Sequence, residues 1–120
     1  MFNSIVFEKA VSVIDSEFAK CELGCNVLDK RFKYVCQRAY EKIDSIISDL
    51  WSASRIGLID KDCACGTIDE INAYVEKVHN IYIFAFEKAV GKTEYEILYI
   101  MSAFDMSREE AIEWIAETEA

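Results

Sequence analysis

Residues 26–57 read NVLDKRFKYVCQRAYEKIDSIISDLWSASRIG, and this stretch decides the fold class. Leu28, Phe32, Val35, Cys36, Ala39, Ile43, Ile46, Ile47 and Leu50 recur at three- and four-residue steps. At 100° per residue that spacing gathers them on one helical face. Asn26 is a candidate N-cap, Asp29 favours a first turn, and Gly57 can close the far end. The stripe predicts one unbroken helix from about Val27 to Arg55, roughly 43 Å long at 1.5 Å per residue. A helix of that length is a spine for others.

The same reasoning extends in both directions. Upstream, Val6, Phe7, Ala10, Val11, Val13, Ile14, Phe18 and Cys21 share a face between Ser4 and Cys21, opposite Glu8, Lys9, Ser12, Asp15, Ser16 and Lys20. Gly24 offers a stop. Downstream, three capping boxes of the form Ser/Thr-x-x-Glu mark helix starts at Thr67–Glu70, Thr93–Glu96 and Ser107–Glu110. The first of these helices runs to about Val90, before Gly91, with Ile71, Tyr74, Val75, Val78, Tyr82, Ala85 and Ala89 inward. The second buries Ile97, Leu98, Met101 and Phe104, and the third Ala111, Ile112 and Ile115. The 120 residues include no proline, which suits long helices and short turns. The expectation is an all-α, compact bundle of about five helices with one long central helix, residues 1–120 forming a single domain. Phe7-Glu8-Lys9-Ala10-Val11 recurs as residues 86–90, but the flanks do not match, and true repeats extend much further.

Charge narrows the function. Net charge is -9; residues 1–60 carry 8 basic and 9 acidic side chains, residues 61–120 carry 5 and 13. Phosphate recognition needs a basic footprint, so direct nucleic-acid binding is disfavoured, as is an anionic membrane surface. A protein partner with a basic surface is the natural complement. The N-terminal residues lack the charged and apolar regions of a signal peptide, and the longest apolar run, Ile81 to Phe86, is too short to span a bilayer. The expected location is cytoplasmic, with the five cysteines reduced.

Catalytic and metal signals are weak. Glu76-x-x-His79 has di-iron spacing, yet such sites need a second copy, and this chain has one histidine. Cys21 with Cys25 and Cys63 with Cys65 could supply four thiolates for zinc, but an unbroken central helix holds the pairs roughly 40 Å apart. Cys63 and Cys65 fall in the longest expected loop, Leu58 to Gly66, where redox sensing is conceivable. Gly91-Lys92-Thr93 resembles the end of a P-loop, but position 86 is Phe86 rather than glycine. No catalytic residue, metal ligand or cofactor is assigned.

Candidate binding surfaces lie in the second half. The last two helices, joined by Asp105-Met106-Ser107, resemble a helix-turn-helix in spacing only, since the second carries five glutamates against one arginine. Glu109, Glu110, Glu113 and Glu117 occupy about 100° of arc, flanked by Trp114, and Tyr95 with Tyr99 could join that surface. Ile83 and Phe84 fall on the polar side of their helix, so either that helix is central in the domain or the pair marks self-association, most simply as a homodimer. The leading expectation is a small acidic inhibitor, immunity-type or adaptor protein docking on a larger protein, nucleic-acid-binding proteins among the candidates. Behind it stand a self-assembling structural or regulatory protein, then a metal-binding or enzymatic one.

Overall fold

The computed structural model describes residues 2–119, with side-chain surroundings from residue 4 onward. Five helices follow in order: α1 (Phe2–Phe18), α2 (Lys30–Arg55), α3 (Lys61–Val90), α4 (Lys92–Phe104) and α5 (Arg108–Glu119). Among the described residues there is no strand, so the fold is an all-α bundle.

The α2 stripe forms one unbroken helix with Phe32, Val35, Ala39, Ile43, Ile46, Leu50 and Ala53 buried. Its start lies later than expected. Asp29, not Asn26, is the N-cap, with its carboxylate 3.5 Å from the Arg31 amide. Asn26 instead accepts a 2.9 Å hydrogen bond from the Leu28 amide, a local turn that carries Val27 into the core before the helix begins. Against α2 pack Ala10, Ile14 and Phe18 of α1 and Ile68, Ile71, Val75 and Phe86 of α3, closing a three-helix core.

Two of the three capping boxes are not used as caps, and the first does not mark a start. α3 begins at Lys61, because Ile68 and Ala64 continue the apolar stripe one and two turns upstream of Ile71. Thr67 is therefore buried inside the helix and donates its hydroxyl to the Cys63 carbonyl at 3.0 Å. Gly91 alone separates α3 from α4, with φ 93 and ψ 149, and no side chain caps α4. Only a residue without Cβ takes this backbone easily. At Ser107 the box is complete: its amide donates to Glu110 Oε1 at 3.4 Å, and Glu110's amide donates to Ser107 Oγ at 3.2 Å. The two copies of Phe-Glu-Lys-Ala-Val are not equivalent. The alanine is buried in α1, whereas in α3 the phenylalanine is buried and Ala89 exposed.

Helix α1 ends at Phe18 rather than Cys21, and tertiary donors meet the Phe18 carbonyl and those of the turn that follows. Tyr82 Oη of α3 lies 2.8 Å from the Phe18 oxygen and 3.1 Å from that of Cys21, and Arg31 Nη2 donates to the Lys20 oxygen at 3.2 Å. The remaining two helices form a second, smaller cluster of Ile97, Ile100 and Ala111, with Met101, Met106 and Ile115 around it. α4 also rests on α3, but among the described residues α5 packs on α4 alone. This extends the bundle to 57 × 28 × 19 Å and the radius of gyration to 18.4 Å; a spherical chain of this length gives about 13–14 Å.

One charged side chain lies in the main interface. Glu17, only 1% exposed, receives hydrogen bonds from Lys20 and from Lys42 across on α2. The Lys42 and Lys20 hydrogen bonds hold its carboxyl below the ordinary carboxylate range, outweighing the opposing effect of burial. A depressed carboxyl contributes stability above its unfolded value, about 4.3, and loses it as pH falls through the folded value. Both ammonium groups reach water, which moderates the effect. Glu17→Gln is expected to lose about 1–2 kcal/mol at pH 7. The deficit should shrink towards zero below about pH 4. Urea unfolding at both pH values tests this, and equal stabilities at pH 7 would refute it.

Candidate functional site

The α4–α5 hairpin carries most of the side chains singled out for partner binding. Glu109, Glu113 and Glu117 are exposed along α5. Glu110 is also exposed, but its carboxylate serves the Ser107 cap. Trp114 is 38% exposed and lies against Phe104, itself 56% exposed, with ring centroids 5.6 Å apart and planes tilted by 33°. Phe104 was expected in the core. Its position at the end of α4 leaves it with α5 as the covering element, and Trp114 is the ring that α5 offers.

The two tyrosines separate. Tyr95 is half-buried against the main core, edge-on to Phe86 at 6.0 Å, and burial pushes its phenol up. Tyr99 stays exposed, its ring 6.3 Å from that of Tyr95. This pair faces the α3 side of α4, whereas the Phe104–Trp114 pair faces α5. Ile83 and Phe84 part in the same way. Ile83 packs on the main core, correcting its placement on the polar side, while Phe84 is 66% exposed. Ile81, one turn before Phe84, is also exposed.

The hairpin is clamped by a pair invisible to periodicity. Arg108 forks onto Glu94, Nη1 to Oε1 at 2.6 Å and Nη2 to Oε2 at 2.7 Å. The guanidinium's hydrogen bonds hold the Glu94 carboxyl below its usual range, and the carboxylate raises the Arg108 pKa in turn. Between α4 and α5 runs a cleft of about 290 Å³, with Ile97, Ile112, Ile115 and Ala116 on its walls and Glu96 and Glu119 at its edge. Ile112, expected to be buried, faces solvent here because no third helix covers this side.

Metal-ligating residue types are dispersed. Cys21 and Cys25 precede the first turn of α2, and Cys63 and Cys65 follow its last. The 26 residues between put these ends about 39 Å apart. Cys63 and Cys65 sit on α3 rather than in a loop, and at i, i+2 they point to different faces. Among the described residues no group of three or more His, Cys, Asp or Glu is arranged to hold a metal ion. His79 lies among the rings of Phe18, Phe32 and Tyr40, at 6.2, 5.8 and 6.5 Å, and burial pushes its pKa down. Among the described residues no helix is long and apolar enough to cross a membrane.

Fold and surface thus define a class, an all-α bundle with an acidic, sparsely packed C-terminal hairpin. No protein-family model, no curated protein and no solved structure matches this chain.

The Ser107–Glu110 cap holds the exposed acidic helix in place. Ser107→Ala is expected to destabilise α5 by about 0.5–2 kcal/mol. Amide hydrogen exchange should accelerate at residues 108–113 and stay unchanged at the buried positions of α3. Unaltered exchange in α5 would show that the cap contributes nothing.

Proposed function

We propose that this protein works by binding another protein, as a small acidic inhibitor, immunity-type or adaptor module. The observation that carries this reading is the one-sided packing of α5. Ala111 is its buried residue, and Glu109, Glu113 and Glu117 remain in water beside the Trp114–Phe104 pair. An apolar cleft with a carboxylate edge suits a partner that presents an apolar anchor among basic side chains. The basic surface of a larger, nucleic-acid-binding protein has that chemistry. The reading places the protein in the cytoplasm, in keeping with its odd number of cysteines.

The test reverses Glu109, Glu113 and Glu117 to Lys and spares Glu110, so that the helix cap survives. With a partner recovered from the host lysate, stopped-flow association is expected to slow by about tenfold at low salt, with a weaker dependence on ionic strength. Circular dichroism should remain unchanged. Equal rates for parent and variant at both ionic strengths would sink the docking surface.

A second reading rests on Phe84, which with Ile81 exposes an apolar patch one turn long on α3. In this reading two copies meet through that patch around a two-fold axis. Because Phe84 lies outside the main core, Phe84→Glu is expected to stay folded. Sedimentation of the parent as a dimer and of the variant as a monomer supports self-association; a parent that remains monomeric at high concentration removes it.

A further inference from the structure

One face of α2 has the opposite sign to the chain that carries it. From Lys30 to Lys42 there are five basic residues, Lys30, Arg31, Lys33, Arg38 and Lys42, against the single carboxylate of Glu41, while the whole chain has a net charge of -9. Lys30, Tyr34, Arg38 and Lys42 follow at four-residue steps, which sets them in one row along the helix. Phe32, Val35, Ala39 and Ile43 take the buried face. Lys30 and Lys42 are exposed, Arg38 is partly exposed, and Tyr34 is 61% exposed in their midst. Among the described residues Lys30 and Arg38 form no ion pair, and Glu41 accepts a 3.0 Å hydrogen bond from Gln37 Nε2.

Helix α5 is the reverse. From Arg108 to Glu119 it carries five glutamates and one arginine, and that arginine is held by Glu94. Glu109, Glu113 and Glu117 again step by four residues, beside Trp114 and its neighbour Phe104. The α5 row is about 12 Å long and the α2 row about 18 Å, so the first fits within the second. Within one molecule the two faces do not meet, since among the described residues α5 contacts α4 alone.

We infer that these faces are the two halves of a self-association contact, in which the basic row of α2 on one copy seats the acidic row of α5 on another. Charge chooses the faces. The aromatic side chains among the charges, Tyr34 on one side and Trp114 with Phe104 on the other, supply the apolar area. Both are needed, because an exposed ion pair contributes at most about 1 kcal/mol. Net repulsion between two acidic chains opposes the contact. In about 0.1 M salt it is screened beyond about 10 Å, a small part of a molecule 57 Å long, whereas facing rows lie inside that distance. One helix on one helix is smaller than a standard interface of about 1,600 Å², so the assembly is weak and forms at high protein concentration. An assembled chain hides the glutamates assigned above to a protein partner; that consequence rests on the partner reading, and the contact itself does not.

Sedimentation equilibrium of the full-length protein tests the contact without any partner, so its failure leaves the partner reading standing. In about 0.1 M salt the average mass of the parent is expected to rise as concentration enters the millimolar range, and to fall back towards the monomer in about 1 M salt. Lys30→Glu with Arg38→Glu removes the net charge of the α2 face and spares Arg31 and Lys42, which serve the Lys20 carbonyl and Glu17. Glu109→Lys with Glu113→Lys and Glu117→Lys reverses the α5 face and spares the Ser107 cap. Each variant alone is expected to remain a monomer with the circular dichroism of the parent. Mixed in equal amounts, the two variants retain one native contact per pair of chains, so the average mass should rise towards twice that of the monomer. Phe84→Glu should associate like the parent. A parent that stays monomeric at millimolar concentration or associates more strongly as salt rises would overturn the contact. So would either charge variant assembling alone like the parent, a mixture that stays monomeric, or loss of association in Phe84→Glu.

Discussion

The structure is organised around the point where α1 stops. The ring of Phe18 lies within 6.2 Å, centroid to centroid, of Phe32 on α2 and of Tyr82 and His79 on α3. Tyr82 contributes twice, its ring filling the space between helices and its hydroxyl meeting the Phe18 carbonyl, which also accepts the Cys21 amide, and the Cys21 carbonyl in the turn beyond. A helix end buried without such donors would be costly. Supplying them from α3 fixes how far α1 runs and how its end sits on the other two helices. The turn that follows, with both its cysteines, is shaped by this junction.

Away from the junction the packing thins. Three helices share the larger core, whereas α4 and α5 share Ile97, Ile100, Ala111 and a rim of methionines. The link between the two cores is short: Gly91, Leu98 packed on the larger core, the Phe86–Tyr95 edge contact, and Lys33 reaching Ser102 at 3.1 Å. Elements with few buried contacts open more readily than a core does. The hairpin compensates with polar devices on its own surface, the Ser107–Glu110 cap and the Arg108–Glu94 fork. These fix an acidic helix without hiding it, which is the condition a docking surface has to meet.

Charge is used in two opposite ways. Glu17 is buried at an interface and brings α1 and α2 into register through Lys42, with Lys20 satisfying its other oxygen. The glutamates of α5 face water with few basic neighbours, so their field extends outward. Tyr74 joins α3 to α1 in the first manner. Its hydroxyl donates to Asp15 at 2.6 Å, and that bond together with burial pushes the phenol up to about 12.

The sequence by itself determined the helical class, the unbroken α2, the stop at Gly91 and the cap at Ser107. These follow from periodicity and from backbone chemistry confined to neighbouring residues. It could not determine which boxes were used, since Thr67-x-x-Glu70 has the same local chemistry whether Ala64 is buried upstream or not. Nor could it place Phe104, Ile83 or Ile112, because an apolar residue is buried only if another element covers it. Nor could it pair Glu17, whose partner Lys42 stands 25 residues away on another helix. Tertiary structure alone decided that α5 would pack on α4 and that Tyr95 would leave the surface Trp114 shares with the glutamates. Each is a contact between side chains whose proximity depends on how helices and turns pack, and helical periodicity carries no information about distances across the bundle.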